Sequence, residues 1–307
     1  METDVPGLAR ARFALGTVQL GLPYGVANRT GRPDDEAGCG LVAAAHACGV
    51  SWFDTAAAYG RSERVLGQAF RRLGLADEAR VVSKGGGFAA PGGSVTACVQ
   101  TSLRALGIPR LEAWLLHDER ELDGWDGRAR ADAAALASEN QVGVFGLSAY
   151  QPAAALSALE ELDFGALQFP ASPFDRRFVR GDTGERILGS GARLFVRSVY
   201  LQGLGLMDPE QVPAHIRHGR EAARALADFC GAHGLERDHF CVQYVLQRTA
   251  RSEARLVIGL ETPAQLARNA ALFSATSLPA ALLDEWDDRW PDDIEDLVLP
   301  YRWTNPA

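Results

Sequence analysis

The sequence lacks several patterns that define whole classes of protein. Its cysteines are few and scattered, and no two form a C-x-x-C pair, which argues against a disulfide framework and a zinc site. The histidines form no HExxH motif, so no metal is predicted. A GxGxxG motif is also missing, so a Rossmann-type nucleotide site is not indicated. No apolar run reaches the ~18 residues that a membrane span requires.

Excess positive charge is lacking too. The 307 residues include 31 basic and 39 acidic side chains, which gives a net charge of −8. A general nucleic-acid or acidic-membrane binder needs a basic face, so neither partner is predicted. The segment from Met1 to Arg12 has no apolar stretch of signal-peptide type. We therefore expect a reducing, cytoplasmic location, while the oligomeric state stays unknown.

Lysine is almost absent. Lys84 is the only one in the chain, and all other basic residues counted above are arginine. Alanine, glycine and arginine are abundant together, which indicates a codon-level habit without functional meaning. The single exception has two interpretations: it survived by chance, or it occupies a place where a guanidinium cannot serve. Composition alone does not decide between them.

What the sequence contains is a recurring alternation of short β-rich runs and helical segments. We predict strands at Phe13–Leu15, Ser51–Phe53, Val81–Ser83, Ala113–Leu116, Val142–Gly146, Gly165–Gln168, Arg193–Val196 and Arg255–Ile258. Helical spacing of apolar residues predicts helices at Asp35–Cys48, Ser62–Leu73, Ser94–Leu106 and Ala129–Ser138. A strand and helix with their loops take about 30 residues, and most strands start at about that interval. The order predicts an α/β protein, a (β/α)8 TIM barrel forming a single domain over residues 1–307.

Two segments depart from this regular order. The long gap between the last two strands holds two predicted helices, Arg220–His233 and Arg237–Gln247, so we expect extra helices before the last strand. An acidic, tryptophan-rich tail, Leu278–Ala307, follows that strand. It either caps the barrel or forms a lid over a substrate mouth. We favour the cap for Leu282–Trp290 and leave the last residues open.

Four titratable residues follow the second, third and fourth strands. Asp54 and Tyr59 come after the second, Lys84 ends the third, and His117 ends the fourth. Barrel enzymes place their chemistry at this end of the strands. Each residue has an ordinary explanation: a helix-capping aspartate, a packed aromatic ring, a solvated loop lysine and a core histidine. Their joint position on consecutive strand ends favours a site.

The four residue types also fit one kind of chemistry. An unperturbed tyrosine has a pKa near 10, and a buried ammonium beside it is expected to lower that value. An aspartate can hold the lysine in place, and a neutral histidine can orient a carbonyl oxygen. Together they would form a proton donor matched to an incoming hydride, which is general-acid catalysis.

The sequence around these residues resembles the aldo-keto reductase family. The similarity covers the segment Trp52–Glu63, WFDTAAAYGRSE, and the Val65–Gly67 run that follows it. Lys84 and His117 fall where that family carries its other catalytic residues. The opening segment, Leu15–Gly21, is similar too. The resemblance implies NAD(P)H-dependent reduction of an aldehyde, ketone or sugar-type carbonyl, with Tyr59 as proton donor.

The resemblance also implies a role for each of these residues and a cofactor extended across the barrel mouth. Asp54 and Lys84 would tune Tyr59, and His117 would orient the substrate. Ser148 and Gln168 match ligands of the nicotinamide carboxamide, although Ala149 replaces a common asparagine. Arg197 stands where many relatives place an aromatic residue under the nicotinamide ring, and a guanidinium can also stack there.

The adenosine-phosphate site is expected in the last strand and helix. Its matching residues are Gly259, Glu261, Gln265 and Asn269. Glu261 would repel a 2′-phosphate but can accept hydrogen bonds from ribose hydroxyls. Arg268 could reach the phosphate from the next turn. The cofactor prediction is NADP(H), with NAD(H) a close alternative.

Two alternatives remain open at this stage: a cofactor-binding regulatory or sensor protein with little turnover, and an unrelated barrel lyase or isomerase. A small-molecule carbonyl compound is the expected substrate. Five regions are expected to determine it: the loop from Tyr24, Phe88, the Ser172–Arg177 loop, Tyr200–Gln202 and the tail. They are mixed polar and aromatic with many arginines, which leaves a polar or anionic substrate open.

Overall fold

Eight parallel strands close into a barrel in chain order. The structure is a computed structural model that describes residues 12–162, 164–291 and 294–303. The strands are β1 (Phe13–Gly16), β2 (Trp52–Asp54), β3 (Arg80–Gly85), β4 (Leu111–Leu116), β5 (Val142–Ser148), β6 (Ala166–Pro170), β7 (Arg193–Arg197) and β8 (Arg255–Gly259). Each strand pairs with the next, and β8 pairs with β1. The predicted (β/α)8 barrel is confirmed, and every predicted strand lies within two residues of an observed one.

Helices follow the strands around the outside of the barrel. Those before β8 are α1 (Val18–Gly21), α2 (Asp35–Ala47), α3 (Ser62–Leu73), α4 (Val95–Leu106), α5 (Gly127–Ser138), α6 (Pro152–Glu160), α7 (Gly181–Leu188), α8 (Gly219–Ala232) and α9 (Arg237–Arg248). Those after it are α10 (Pro263–Phe273), α11 (Ala280–Arg289) and α12 (Glu295–Val298). The two helices predicted before the last strand are α8 and α9. Within the described ranges, no helix is long and apolar enough to cross a membrane.

Local sequence sets where these helices begin and end. At the start of α2, the side chain of Asp34 accepts the backbone N–H of Ala37, and Ser94 does the same before α4. Such residues satisfy N–H groups that the first helical turn leaves unpaired. The helix α3 ends at Gly74, whose φ of 70° lies in the left-handed region that glycine adopts without strain.

The interior of the barrel is filled by side chains that alternate along the strands. They form one buried cluster of Ala14, Trp52, Val82, Ala113, Leu115, Ala166, Phe195 and Val257. Small alanines leave room for two large rings, Trp52 and Phe195, whose centroids are 5.7 Å apart. Because the middle of the barrel is solid, polar residues are confined to its two ends.

The tail helix α11 packs against the rest of the molecule. The ring of Trp286 is buried, and its Nε1 donates a hydrogen bond to the carbonyl of Pro173 at 2.8 Å. The buried Asp287 accepts hydrogen bonds from Arg176, Tyr244 and Arg248. The segment Leu282–Trp290 is therefore packed internally and does not line the cavity that Tyr59 borders, which favours the predicted cap over a lid.

Beyond that helix, the tail turns back towards the end of β5. Tyr301 is exposed, and its ring meets Tyr150 edge-on with centroids 5.3 Å apart. Trp303 donates from Nε1 to the carbonyl of Leu297 at 3.0 Å. The prediction left open for residues 304–307 lies outside the described residues.

Candidate active site

A buried ion pair joins the ends of β2 and β3. The Nζ atom of Lys84 donates to Asp54 Oδ1 at 2.9 Å, to Asp54 Oδ2 at 2.8 Å and to the carbonyl of Thr55 at 2.8 Å. Lys84 is 0% exposed and Asp54 is 3% exposed. Three acceptors match the three protons of an ammonium, so its hydrogen-bonding capacity is filled. The amide of Gln168 also donates to Asp54 Oδ2, at 2.7 Å.

Tyr59 and His117 lie beside this pair. Lys84 Nζ is 5.0 Å from the centroid of the Tyr59 ring. The rings of Tyr59 and His117 meet edge to face, with centroids 5.5 Å apart and planes 80° apart. The structure therefore brings together the four titratable side chains predicted from the strand ends.

A close approach of two backbone segments holds the Tyr59 turn in place. A Cβ atom on Gly21 would lie 1.7 Å from the Tyr59 carbonyl oxygen, so only glycine fits there. Gly60 adopts a φ of +57°, which completes the turn at little cost. Beneath the turn, the hydroxyls of Thr17 and Ser62 are hydrogen-bonded at 2.7 Å in a buried network. Tyr59 is thus positioned by backbone contacts on both sides.

Burial, and not the neighbouring ammonium, dominates the ionisation of Tyr59. Its pKa is raised by removal of the phenol from water and further by the Asp54 carboxylate, while Arg197 acts in the opposite direction. The expectation that Lys84 lowers this pKa was therefore wrong. Asp54, which bonds to both Lys84 and Gln168, offsets the charge of the lysine, and burial favours the neutral phenol.

His117 is neutral, as its proposed role requires. Burial and, to a smaller extent, the positive charges of Lys84 and Arg197 lower the pKa of His117 to about 4, against the opposing effect of Asp118. Burial also lowers the pKa of Lys84, an effect that Asp54 opposes. Near pH 7 the cluster therefore combines a neutral phenol with a neutral imidazole.

A cavity of about 340 Å³ opens above the ion pair. Two groups of predicted site residues line it: Asp54, Tyr59, Gln168 and Arg197 at one end, and Gly259, Glu261, Gln265 and Asn269 at the other. Three predicted residues are not part of the lining. Lys84 and His117 adjoin Tyr59, and Ser148 is buried on β5 in register with Gln168.

Gln168 contributes an unused acceptor to this cavity. Its amide nitrogen is bound to Asp54, but its Oε1 is buried and has no hydrogen-bond partner. A buried polar atom without a partner is costly in a folded protein. A ligand that offers an N–H group at this point, such as a carboxamide, would satisfy it.

At the far end, the predicted adenosine-binding side chains are engaged with one another. Asn269 Oδ1 accepts the hydroxyl of Tyr200 at 2.6 Å, and Asn269 Nδ2 donates to the carbonyl of Gln265 at 2.8 Å. Gln265 Oε1 accepts the backbone N–H of Glu261 at 2.7 Å. The amide of Gln19 packs so closely on Gly259 that a Cβ atom there would lie 2.4 Å from it.

Two charges at this end bear on cofactor choice. Arg268, which the sequence suggested could reach a 2′-phosphate, forms a bidentate ion pair with Asp238, at 2.6 and 2.8 Å. Burial raises the pKa of Glu261, partly offset by a hydrogen bond with Gln265. This end of the cavity therefore carries the carboxylate of Glu261, while the guanidinium of Arg268 is already paired with Asp238.

The sequence assigned no role to Gln19 or Ser198, and both line the cavity. Their positions within three residues of the ends of β1 and β7 are the signal that could have identified them. The loop after β7 is unusual because Ser198, Leu201 and Gln202 all have positive φ values, of 64°, 48° and 56°. Such backbone is strained for these residue types and persists where surrounding contacts enforce it.

Two regions expected to determine the substrate are packed internally instead. Phe88 contacts the rings of Trp114 and Trp125. In the Ser172–Arg177 loop, Ser172 Oγ accepts the backbone N–H of Asp175 at 3.1 Å, and Asp175 pairs with Arg177. The expected Tyr24 and Tyr200–Gln202 regions do contribute to the cavity wall.

Fold and site together define a class: a (β/α)8 barrel whose strand ends carry a buried lysine–aspartate pair beneath a tyrosine and a histidine. Comparison with known sequences gives the family. Residues 12–290 match the aldo/keto reductase family, and the chain belongs to it. It is thus an oxidoreductase of the carbonyl–alcohol type, and the family generally uses nicotinamide cofactors.

Solved structures show the same fold. An aldo-keto reductase from Bacillus halodurans, described in its holo form, superposes with a TM-score of 0.74 at 18% identity, over 94% of this chain and 95% of that one. A Pseudomonas aeruginosa protein, provisionally assigned as an aldo-keto reductase, superposes with a TM-score of 0.61 at 25% identity, over 86% and 89% of the two chains. Among curated proteins, no relative matches significantly.

Proposed function

We propose that the protein interconverts a carbonyl compound and an alcohol with NAD(P)H, and that Tyr59 is the proton donor. The observation that carries the proposal is the position of Tyr59. Its phenol lines the cavity, Lys84 is 5.0 Å from its ring, and the neutral His117 packs against it. The proposed substrate is a small carbonyl compound, without nucleic-acid or membrane partners. A cytoplasmic location stays a prediction from sequence.

The residues present fit a nicotinamide cofactor. When bound, the reduced nicotinamide supplies the two electrons and the hydrogen that reach the carbonyl carbon. Gln168 would satisfy its unpartnered Oε1 with the carboxamide N–H, and Ser148 is proposed as a second carboxamide ligand. Arg197 would border the ring, with an N–H edge of its guanidinium left open. Gly259, Glu261, Gln265 and Asn269 would line the adenosine end.

The protein's own residues would donate the proton and orient the oxygen that accepts it. The raised pKa of Tyr59 keeps the phenol protonated until negative charge develops on the substrate oxygen. The proton then moves from Tyr59 Oη to that oxygen, and the positive charge of Arg197, which lowers the pKa of Tyr59, would stabilise the phenolate formed. Asp54 fixes the direction of the Lys84 ammonium. His117 is proposed to hold the same oxygen in line through a neutral N–H donor.

The choice between NADP(H) and NAD(H) rests on the adenosine end. Family resemblance favours NADP(H). Glu261 opposes a 2′-phosphate, and Arg268 is held by Asp238 at 2.6 Å. On these contacts we expect NADH to bind more tightly than NADPH, which reverses the order expected from sequence.

The test is Tyr59→Phe, measured by turnover on a panel of carbonyl compounds and by fluorescence titration with NADH and NADPH. Loss of the general acid should lower kcat by about 10²–10⁴-fold. Cofactor affinity should persist because the ring is retained. The matched control is Tyr301→Phe, an exposed tyrosine outside the cavity lining, which should keep normal turnover.

Undiminished turnover in Tyr59→Phe would contradict the mechanism. Tight cofactor binding by the unaltered protein, without turnover on any carbonyl compound, would favour the regulatory alternative. Lack of NAD(P)H binding would favour a lyase or isomerase.

A further inference from the structure

One cation in the cavity wall, Arg197, has no counter-charge within the part of the chain that the structure describes. Arg197 ends β7, is half-buried and lines the cavity together with Tyr59. Its guanidinium carbon lies 4.0 Å from the centroid of the Tyr150 ring, so one face is covered. Its Nη2 donates to the carbonyl of Ala149 at 3.0 Å. Among the described residues no carboxylate lies within 4.0 Å of it, and the other N–H donors of its fork have no protein acceptor.

Three carboxylates close to Arg197 have other partners. Asp54 is bound by Lys84 and Gln168. Asp175 accepts a two-pronged pair of hydrogen bonds from Arg177, at 2.8 and 2.9 Å. Glu119 accepts the backbone N–H groups of Tyr150 and Gln151, at 3.0 and 2.9 Å. The charge of Arg197 is therefore available to a ligand.

Tyr24 offers a second donor in the same wall. Burial raises the pKa of the Tyr24 phenol, and the nearby Tyr59 and Tyr150 raise it further, although Arg197 acts against them. The phenol therefore stays protonated and can donate a hydrogen bond. The wall near Tyr59 thus presents a planar guanidinium edge and a neutral hydroxyl.

We infer that Arg197, assisted by Tyr24, binds the carboxylate of an anionic substrate, so that the preferred substrates are carbonyl compounds that also carry a carboxylate. A guanidinium edge matches a carboxylate through two parallel charge-assisted hydrogen bonds. This inference rests on the proposed function. The cofactor is the other possible source of an anion at Arg197, and the experiment separates the two.

The experiment compares 4-oxobutanoate with the uncharged butanal as substrates, at saturating cofactor. The protein as it stands should prefer 4-oxobutanoate. Arg197→Tyr keeps a planar ring but removes the charge, and it should lower the ratio of the two kcat/KM values by about 10–100-fold, as expected for a charged hydrogen bond. Because both substrates use the same cofactor complex, an effect on the cofactor cancels in this ratio.

A binding measurement gives a readout without turnover. Calorimetry with succinate, an unreactive dicarboxylate, should show binding that weakens by about tenfold or more in Arg197→Tyr. The matched control is Arg255→Gln. Arg255 lies over the ring of Trp52 at the same 4.0 Å distance, but at the opposite end of the barrel. That variant should leave both the substrate ratio and succinate binding unchanged.

Three results would overturn the inference. Equal losses on both substrates, with weaker cofactor binding, would assign Arg197 to the cofactor. Turnover of butanal without any preference for 4-oxobutanoate would refute the anionic substrate and leave the proposed function intact. An absence of turnover on these and all other carbonyl compounds would refute the proposed function as well.

Discussion

The two ends of the barrel carry cations on the same strands, in opposite surroundings. We call the end of the barrel where the strands begin the entry end, and the end where they finish, which holds the candidate site, the exit end. On β3, Arg80 lies at the entry end and Lys84 near the exit end, with Val82 between them on the inward side. On β7 the corresponding residues are Arg193 and Arg197. Because inward positions recur every second residue, both strands place one cation at each end of the solid core.

At the entry end, several cations share their contacts, over the ring of Trp52 and near the solvent. Arg255 and Arg80 lie over the two-ring face of Trp52, with their guanidinium carbons 4.0 and 5.6 Å from its centroid. Arg193 pairs with Glu112 at 2.8 Å. Burial, and repulsion from Arg80 and Arg193 that Glu253 and Glu112 oppose, lower the pKa of Arg255. No single contact decides the stability of this end.

At the exit end, one ammonium depends on one carboxylate. Lys84 is completely enclosed, and Asp54 supplies two of its three acceptors. A buried charge that loses its partner costs far more than an exposed one. The same charge on the same strand therefore tolerates substitution at the entry end and is indispensable at the exit end.

The largest effect should follow removal of Lys84. Lys84→Met leaves Asp54 buried without its cation, which should cost about 3–5 kcal/mol of unfolding free energy. Arg80→Met, on the exposed end of the same strand, should change it by less than ~0.5 kcal/mol. Urea unfolding followed by circular dichroism measures both. Similar losses in the two variants would refute the asymmetry.

A conservative pair sharpens this prediction. Lys84→Arg keeps the charge, but a forked guanidinium does not fit the three acceptors that surround the ammonium. Turnover should therefore stay far below normal in Lys84→Arg. Arg80→Lys should turn over normally. Near-normal activity of Lys84→Arg would show that charge alone suffices at the exit end.

A smaller effect should appear in the pH dependence of the unfolding free energy, through His117 at the exit end. The pKa of His117 is about 4 in the folded protein, below its ordinary value of 6.5, so the unfolded chain binds more protons between these values. The contribution of His117 to stability is full above about pH 6.5 and is lost as the pH falls towards 4. We expect a loss on the order of 2–3 kcal/mol in the unaltered protein, after allowance for partial solvation.

Urea unfolding between pH 7 and 4.5 tests this contribution. His117→Gln should lose distinctly less stability over that range, because glutamine does not titrate. Arg255→Gln should retain the full slope, since arginine stays charged throughout. A slope in His117→Gln equal to that of the unaltered protein would show that other groups cause the pH dependence.

The smallest effect should come from the entry end itself. Arg255→Gln removes a cation from the face of Trp52, a contact worth about 0.5–1 kcal/mol at an accessible site. It also relieves repulsion with Arg80 and Arg193, so the net change in unfolding free energy should be below ~1 kcal/mol. Thermal and urea unfolding would measure it. A loss comparable to that of Lys84→Met would show that this end also depends on one contact.

The fold and the core of the site were predictable for a physical reason. In a barrel, residues at the ends of consecutive parallel strands must converge, so strand spacing alone placed Asp54, Lys84 and His117 on one face. The four residues also resemble a family signature, and membership of that family is shown by the match over residues 12–290. Local patterns also gave the helix boundaries, because caps and apolar periodicity act over a few residues.

Contacts between distant parts of the chain were not predictable. Gln168 reaches Asp54 across more than a hundred residues, and Arg268 is drawn to Asp238 on another helix. The ionisation of Tyr59 was misjudged because burial depends on everything packed around the phenol. Phe88 was expected to help determine the substrate, but its ring packs against Trp114 and Trp125.

The enclosure of Lys84 has a practical consequence for chemical labelling. It is the only side-chain amine in the sequence, and it is 0% exposed. Acylating dyes and amine-directed cross-linkers therefore meet no lysine on the surface of the folded protein. A reagent found on Lys84 must have reacted while the strand ends were apart. The rate at which Lys84 is modified therefore reports on the opening of the barrel.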